Sequence, residues 1–262
     1  MTEPPANPLV RREDDAGVRT LILDRGDGNN SVGPDLTADL ERELDAAARD
    51  ESVRVLVLTG AGRMFSAGGN LNLLSGHLAT RDPESERAGL ARGLDLAGKI
   101  VDFPRPTIAM LNGAAAGGGL ALALACDLRI ASDQAKLAYA YGTIGLAGDF
   151  GINWLLARLT GPGRARSIAF GGPVGAADAF RLGLVDEVVE AGALACRTIA
   201  RARALAEMSA PALTAIKRNL DAASLGFAQA GKLEAESFLA LRGGPEHRAA
   251  LERLMAAFAA RK

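Results

Sequence analysis

A chain of 262 residues, 48% hydrophobic and 23% charged, is long enough to bury a substantial core as one large domain or two modest ones. Thirty basic residues against thirty-one acidic give a net charge of −1, and aromatics make up only 4%, which argues against a basic field for phosphate backbones and against a base-stacking surface. The leader "MTEPPANPLVRREDD" has no apolar signal core and no run reaches membrane-span length, so a soluble, cytoplasmic protein is expected.

After that polar leader, "VRTLILD" (residues 18–24) is β-branched and leucine-rich and reads as the first strand. "GDGNNSVGP" is turn chemistry. Pro34 then suits the first turn of a helix on which Leu36, Leu40 and Leu44 form one buried stripe. "VRVLVLTG" (residues 53–60) is a second strand whose near-continuous apolar run predicts burial on both faces. "AGRMFSAGGNLNLLSG" reads as loop and "LATRDPESER" as a solvated, mobile connection. Leu90, Leu94, Ala97 and Val101 then mark another amphipathic helix. "PTIAMLNG" (residues 106–113) is a third strand with a glycine-led helix directly after it, and "DLRIAS" and "AKLAYA" read as further short strands. Beyond Asp149 the pattern is mostly helical, with breaks at residues 161–163 and 171–173, and it ends with Leu251, Leu254, Met255 and Phe258 on one helical face. Strand–helix units followed by a helical tail imply an α/β core with helices packed on it or on another subunit. Cys126 and Cys196 have no metal-ligand spacing and read as buried small hydrophobes.

Two segments stand out: "FSAGGNL" and "GAAAGGGLAL". Each follows a strand or an apolar run and puts glycine or alanine where larger side chains would block access to main-chain N–H groups. A pair of such donors, one at a helix N-terminus, stabilises an oxygen that becomes negative during reaction. Taken singly, either loop reads first as a tight strand-to-helix turn, since glycine-rich turns are common. Neither is a dinucleotide or phosphate-loop fingerprint, because the spacing is wrong and no Gly-Lys-Ser/Thr follows.

Together, "LDRGDGNNSV", "VLVLTGAGRMFSAGGNL", "PTIAMLNGAAAGGGLALALACDLRIAS" and "GLVDEVV" resemble the enoyl-CoA hydratase/isomerase (crotonase) superfamily, in the right order and over nearly the whole chain. The resemblance implies a crotonase-like α/β fold: a spiral of ββα units over residues 1–200. A C-terminal helical region, residues 201–262, would form trimers that often pair into hexamers. It also implies an acyl-CoA thioester as substrate, with coenzyme A entering as part of that substrate and no separate cofactor or metal. Carried over, the two oxyanion donors fall on the amides of Gly69 and Gly118. Substrate contacts fall on Ser31, Ala67, Gly68, Asn70, Leu71, Gly117 and Leu146. Asn70 and Asn72 depart from a frequent Asp and a frequent Lys.

The hydratases of this family use two glutamates, and here the matching positions are Ala121 and Tyr141. Neither supplies a carboxylate. One acid stands nearby, Asp149 in "GLAGDFG". Its local reading is the N-cap of the helix in "FGINWLLARL", whereas the family comparison places it facing the substrate, as in acyl-CoA isomerases. "AYAYGTIGLAGDF" also resembles 4-chlorobenzoyl-CoA dehalogenase, in which the matching Asp is the nucleophile. That enzyme needs a histidine where this chain has Gly98, and only His77 and His247 exist to replace it. His247 reads as a surface residue of a C-terminal helix.

The leading expectation is double-bond isomerisation of an acyl-CoA, or a ring-type acyl-CoA isomerisation that would use the same parts. Asp149 would be the acid/base, Gly69 and Gly118 would hold the enolate oxygen, and Tyr141 would shape the pocket or donate a hydrogen bond. The alternatives are a hydratase using Asp149 alone, a dehalogenase-like enzyme, and a catalytically weak acyl-CoA-binding protein.

Overall fold

A computed structural model of the protein describes residues 8–70 and 82–259. The larger of its two sheets has the order β1-β2-β3-β5-β7-β10. Its strands are β1 (Val10–Asp15), β2 (Val18–Leu23), β3 (Val55–Gly60), β5 (Thr107–Leu111), β7 (Leu128–Ser132) and β10 (Glu187–Val189). The β1–β2 pair is antiparallel and the remaining pairs are parallel. The smaller sheet, β4-β6-β8-β9, is built from β4 (Met64–Ser66), β6 (Ala114–Ala116), β8 (Lys136–Ala138) and β9 (Val174–Gly175). After each of β3, β5 and β7 the chain crosses at once to the smaller sheet, so one strand is added to each layer in turn. Those crossings bring the ends of β4 and β6 side by side, and the spiral of ββα units expected from the sequence is observed.

All five expected strands are present within two residues of their expected bounds, β8 being the most shortened in proportion. The strand at residues 18–24, however, is the second of the sheet and not the first. In β1 only Val10 is buried and the other five residues are exposed, so no hydrophobic alternation announces it. It is a charged edge strand, joined to β2 by a tight turn at Ala16 and Gly17, both with positive φ. The expected loop around residue 65 contains β4, and β6 intervenes before the glycine-led helix. Each of these strands has three residues, too short for periodicity to reveal.

The first helix, α1 (Pro34–Arg49), starts at the expected proline, and Leu36, Leu40 and Leu44 are buried with Thr37 and Ala47. Its last carbonyls are capped from outside, by Arg105 donating to the Ala47, Ala48 and Asp50 oxygens. The second helix, α2 (Pro83–Val101), corrects two expectations. Asp82 caps it by accepting from the Glu84 amide, so residues 83–87 are helix and not a mobile connection. Its buried face is Gly93, Leu96, Ala97 and Ile100, while Leu90 and Leu94 are 57% and 55% exposed. The helix is turned so that Gly93 and Leu96 meet the interior in place of Leu90 and Leu94.

The third helix, α3 (Gly117–Ala125), is buried on all sides from Gly118 onward. Just beyond it, Asp127 fixes the start of β5 by accepting from the amide and hydroxyl of Thr107, and also takes the Lys217 ammonium. The fourth helix, α4 (Ile152–Ala169), is kinked at Gly161, as the glycine and proline break suggested. After α5 (Ala176–Leu182), Leu184 and Val185 of "GLVDEVV" enter the core, and Asp186 pairs with Arg129 of β7. Residue 200, where the sequence suggested a change of region, lies inside α6 (Leu194–Ala206), which buries Leu194, Thr198, Ala202 and Leu205. Then follow α7 (Ala210–Asp221), α8 (Phe227–Leu241) and α9 (Pro245–Ala259), none with a buried residue. Cys126 is buried as expected, but Cys196 is exposed.

Candidate active site

The two glycine segments meet. Gly68 has φ 78° and stands so close to the strand leading into α3 that an added β-carbon would lie 2.3 Å from the Ala116 carbonyl oxygen and 3.2 Å from the Gly118 amide nitrogen. A β-carbon at Gly119 would lie 2.5 Å from Ser66 Cβ. Only glycine at both positions lets the loops approach this closely.

The first loop is held by buried hydrogen bonds. Asn30, fully buried with φ 49°, donates its amide to the Ala61 and Met64 carbonyls. Ser66 donates its hydroxyl to the Asn30 carbonyl and accepts from the Gly68 amide. The Ala67 amide reaches the Asn29 carbonyl, and the Val32 amide reaches the Gly68 carbonyl beside the Val32–Gly69 bridge. These bonds leave the Gly69 N–H without an acceptor among the described residues. Gly118 lies in the first turn of α3, where helix geometry leaves N–H groups without intrahelical acceptors and adds partial positive charge. The structure thus brings Ser31, Ala67, Gly68, Gly69, Gly117 and Gly118 into one region. Leu71 and His77 lie outside the described residues. Leu146 is exposed and lines a separate cavity of about 450 Å³ with Tyr139 and Asn153.

Asp149 joins this region from the segment after β8. It is half-buried, and its Oδ1 lies 3.6 Å from where a β-carbon on Gly118 would stand. It does not cap α4: the N-cap is Gly151, in left-handed backbone, with no side-chain cap bond. Its carboxylate instead accepts a hydrogen bond from the Tyr141 hydroxyl. Tyr141 is buried in a short 3₁₀ turn (Tyr141–Ile144) and meets Tyr139 edge-on at 5.1 Å. Tyr139 in turn bonds Asn153, which donates to the Ala147 carbonyl and ties the segment to α4.

Burial pushes the Asp149 pKa above the usual carboxylate value, and the Tyr141 hydrogen bond partly opposes that rise. Burial and the adjacent carboxylate push the Tyr141 phenol upward, which keeps it protonated as a donor. Ala121 is fully buried in α3, so no second carboxylate enters from that helix. Gly98, the position matching the dehalogenase histidine, is on α2, and His247 is exposed on α9 as expected.

Sequence reasoning missed Asn30, Ser66 and Phe150. The first two sit inside quoted motifs, where their polarity in otherwise small or turn-forming runs was the available signal. Phe150 carried none, because its significance lies in a backbone angle.

A two-layer ββα spiral with two facing glycine loops and a buried acid defines a class of enzyme, and comparison with known proteins agrees. Residues 13–255 match the enoyl-CoA hydratase/isomerase family, and the chain belongs to it. It is 36% identical over 213 residues to the 1,2-epoxyphenylacetyl-CoA isomerase of Escherichia coli K12, covering 79% of each chain. Its fold matches the enoyl-CoA hydratase of Bacillus anthracis with a TM-score of 0.90 at 26% identity, over 95% of this chain and 96% of that one. The enoyl-CoA hydratase of Polaromonas sp. JS666 gives a TM-score of 0.89 at 29% identity, over 95% and 97%.

Proposed function

We propose that this member of the family is an acyl-CoA isomerase that moves a double bond through a thioester dienolate, with Asp149 as its single acid/base. The amides of Gly69 and Gly118 would receive the thioester oxygen. The ionised Asp149 carboxylate would take a proton from the α-carbon of a β,γ-unsaturated acyl-CoA, and the electron pair would delocalise onto that oxygen. The protonated acid would then return the proton at the γ-carbon, leaving an α,β double bond. Atoms and charge balance with one carboxylate, because the base that accepts the proton becomes the acid that donates it. Tyr141 would orient Asp149 through its hydroxyl. Coenzyme A enters as part of the substrate, and no metal or separate cofactor takes part.

The observation that carries this reading is the place of Asp149. It is free of any capping duty, has a raised pKa, and stands beside Gly118 where the usual hydratase positions hold Ala121 and Tyr141. The E. coli relative, an isomerase of an epoxidised aromatic acyl-CoA, favours isomerisation over water addition and leaves a ring-type acyl-CoA as the second candidate substrate. The solved hydratases favour the competing one, water addition by Asp149 alone. Assaying hydration of crotonyl-CoA beside isomerisation of 3-hexenoyl-CoA separates them. Isomerisation is expected to dominate, and fast hydration without isomerisation would refute the proposal. Assembly as a homotrimer or homohexamer through the C-terminal helices belongs to the same proposal.

A further inference from the structure

Phe150 follows Asp149 in left-handed backbone, φ 49°, an unfavourable setting for an aromatic residue. Its ring rests where two helices have no side chain. A β-carbon added at Gly93 of α2 would lie 3.0 Å from the ring's Cε2 and Cζ, and one added at Gly118 of α3 would lie 3.1 Å from Cδ2 and Cε2. The ring therefore spans from α2 to the first turn of α3, against the residue whose amide is proposed to hold the thioester oxygen. On its other side Phe150 helps line a cavity of about 740 Å³, with Leu94, Val101, Phe103, Trp154 and Leu155 among the walls. Asp149 and Gly118 do not line that cavity. A cleft with apolar walls and a charged rim of Glu41, Asp45, Asp95, Lys99 and Asp102 thus lies behind the proposed reacting centre, with one ring between them.

We infer that Phe150 determines acyl-group specificity: its ring closes the passage from the reacting carbons to the 740 Å³ cavity, so the wild-type enzyme takes acyl groups that end at the ring. This rests on the acyl-CoA reading of the site. Removing the ring joins the two spaces and lets a longer apolar chain run between α2 and α4 into the cavity.

The test uses Phe150→Gly, since glycine adopts the same backbone without strain, and Phe150→Leu, which keeps a branched side chain. Binding of saturated straight-chain acyl-CoAs, from butyryl- to dodecanoyl-CoA, is measured by calorimetry on folded protein. These ligands cannot be isomerised, so the readout is independent of the chemistry assigned to Asp149. In Phe150→Gly the ratio of long-chain to short-chain affinity is expected to rise at least about tenfold over wild type, as discrimination over a few methylenes allows, and Phe150→Leu is expected to fall between. Equal chain-length profiles in wild type and variants would overturn the inference, as would tight dodecanoyl-CoA binding by wild type. Should Phe150→Gly not fold, Phe150→Leu decides alone: an unaltered profile rejects the inference. If acyl-CoA of no length binds to wild type, the acyl-CoA reading itself fails, and the inference with it.

Discussion

Asp149 and Tyr141 form a coupled pair in which one hydroxyl tunes one carboxylate. Replacing Asp149 with Asn keeps a hydrogen-bond acceptor for Tyr141 but removes the base, so kcat for isomerisation should fall by about 10²–10⁴, measured by steady-state assay. The same variant should melt at a higher temperature. The Asp149 pKa is raised in the folded chain, so its stabilising contribution is fully present below the unfolded pKa and is lost as pH rises through the folded value. At neutral pH the ionised group therefore opposes folding, and a neutral isostere relieves it. Tyr141→Phe removes the one interaction that lowers the Asp149 pKa. The acid limb of the kcat/KM profile should consequently move to higher pH, and an unmoved limb would show that the hydroxyl does not tune the acid. Among the site residues, Asp149 was legible as an isolated acid in a glycine-flanked motif. What could not be read was the contest between capping and catalysis, because the left-handed Gly151 took the cap.

The two glycine loops work as a single joint between β4 and α3. Gly68→Ala would drive a methyl group to 2.3 Å from the Ala116 carbonyl oxygen and force alanine to φ 78°. Loss of several kcal/mol is expected, at least about 2 from the backbone and the clash together, together with loss of turnover; denaturant titration and the isomerase assay measure the two. Asn30→Ala would leave the half-buried Ala61 carbonyl without its side-chain donor and the Met64 carbonyl with only the Asn112 amide, and should lower stability by about 1–3 kcal/mol. The elements themselves were read unevenly from the sequence. The leucine stripe of α1 matched its buried face because all three of its leucines are buried. The stripe of α2 did not, because its buried face includes Gly93, which sits against the Phe150 ring and is invisible to any hydrophobic count. Strands β4 and β6 were hidden by their length, and β1 by its charge.

Across the molecule, the motifs named the fold because the spiral forces each glycine loop to the end of a strand in the smaller sheet. The C-terminal helices α7, α8 and α9 have no buried residue, yet Phe227, Phe238, Leu239 and Met255 are all exposed on the single chain. Their helicity was readable, but what covers them was not, since an apolar face reads the same whether it is covered by the same chain or by another. Sedimentation of the purified protein is expected to show a trimer or a pair of trimers, and a stable monomer at micromolar concentration would rule this assembly out.

The oxygen-binding groups proposed here are main-chain amides fixed by Gly68 and Gly119, while the proton-handling groups are side chains on a different excursion, between β8 and α4. The two can therefore change independently in descent. Exchanges at residues 121, 141 and 149 would alter the proposed proton transfers while leaving the glycine joint and the Asn30 and Ser66 bonds that hold it untouched. One oxygen receptor could in this way serve several reactions, each set by which side chains stand at a few neighbouring positions.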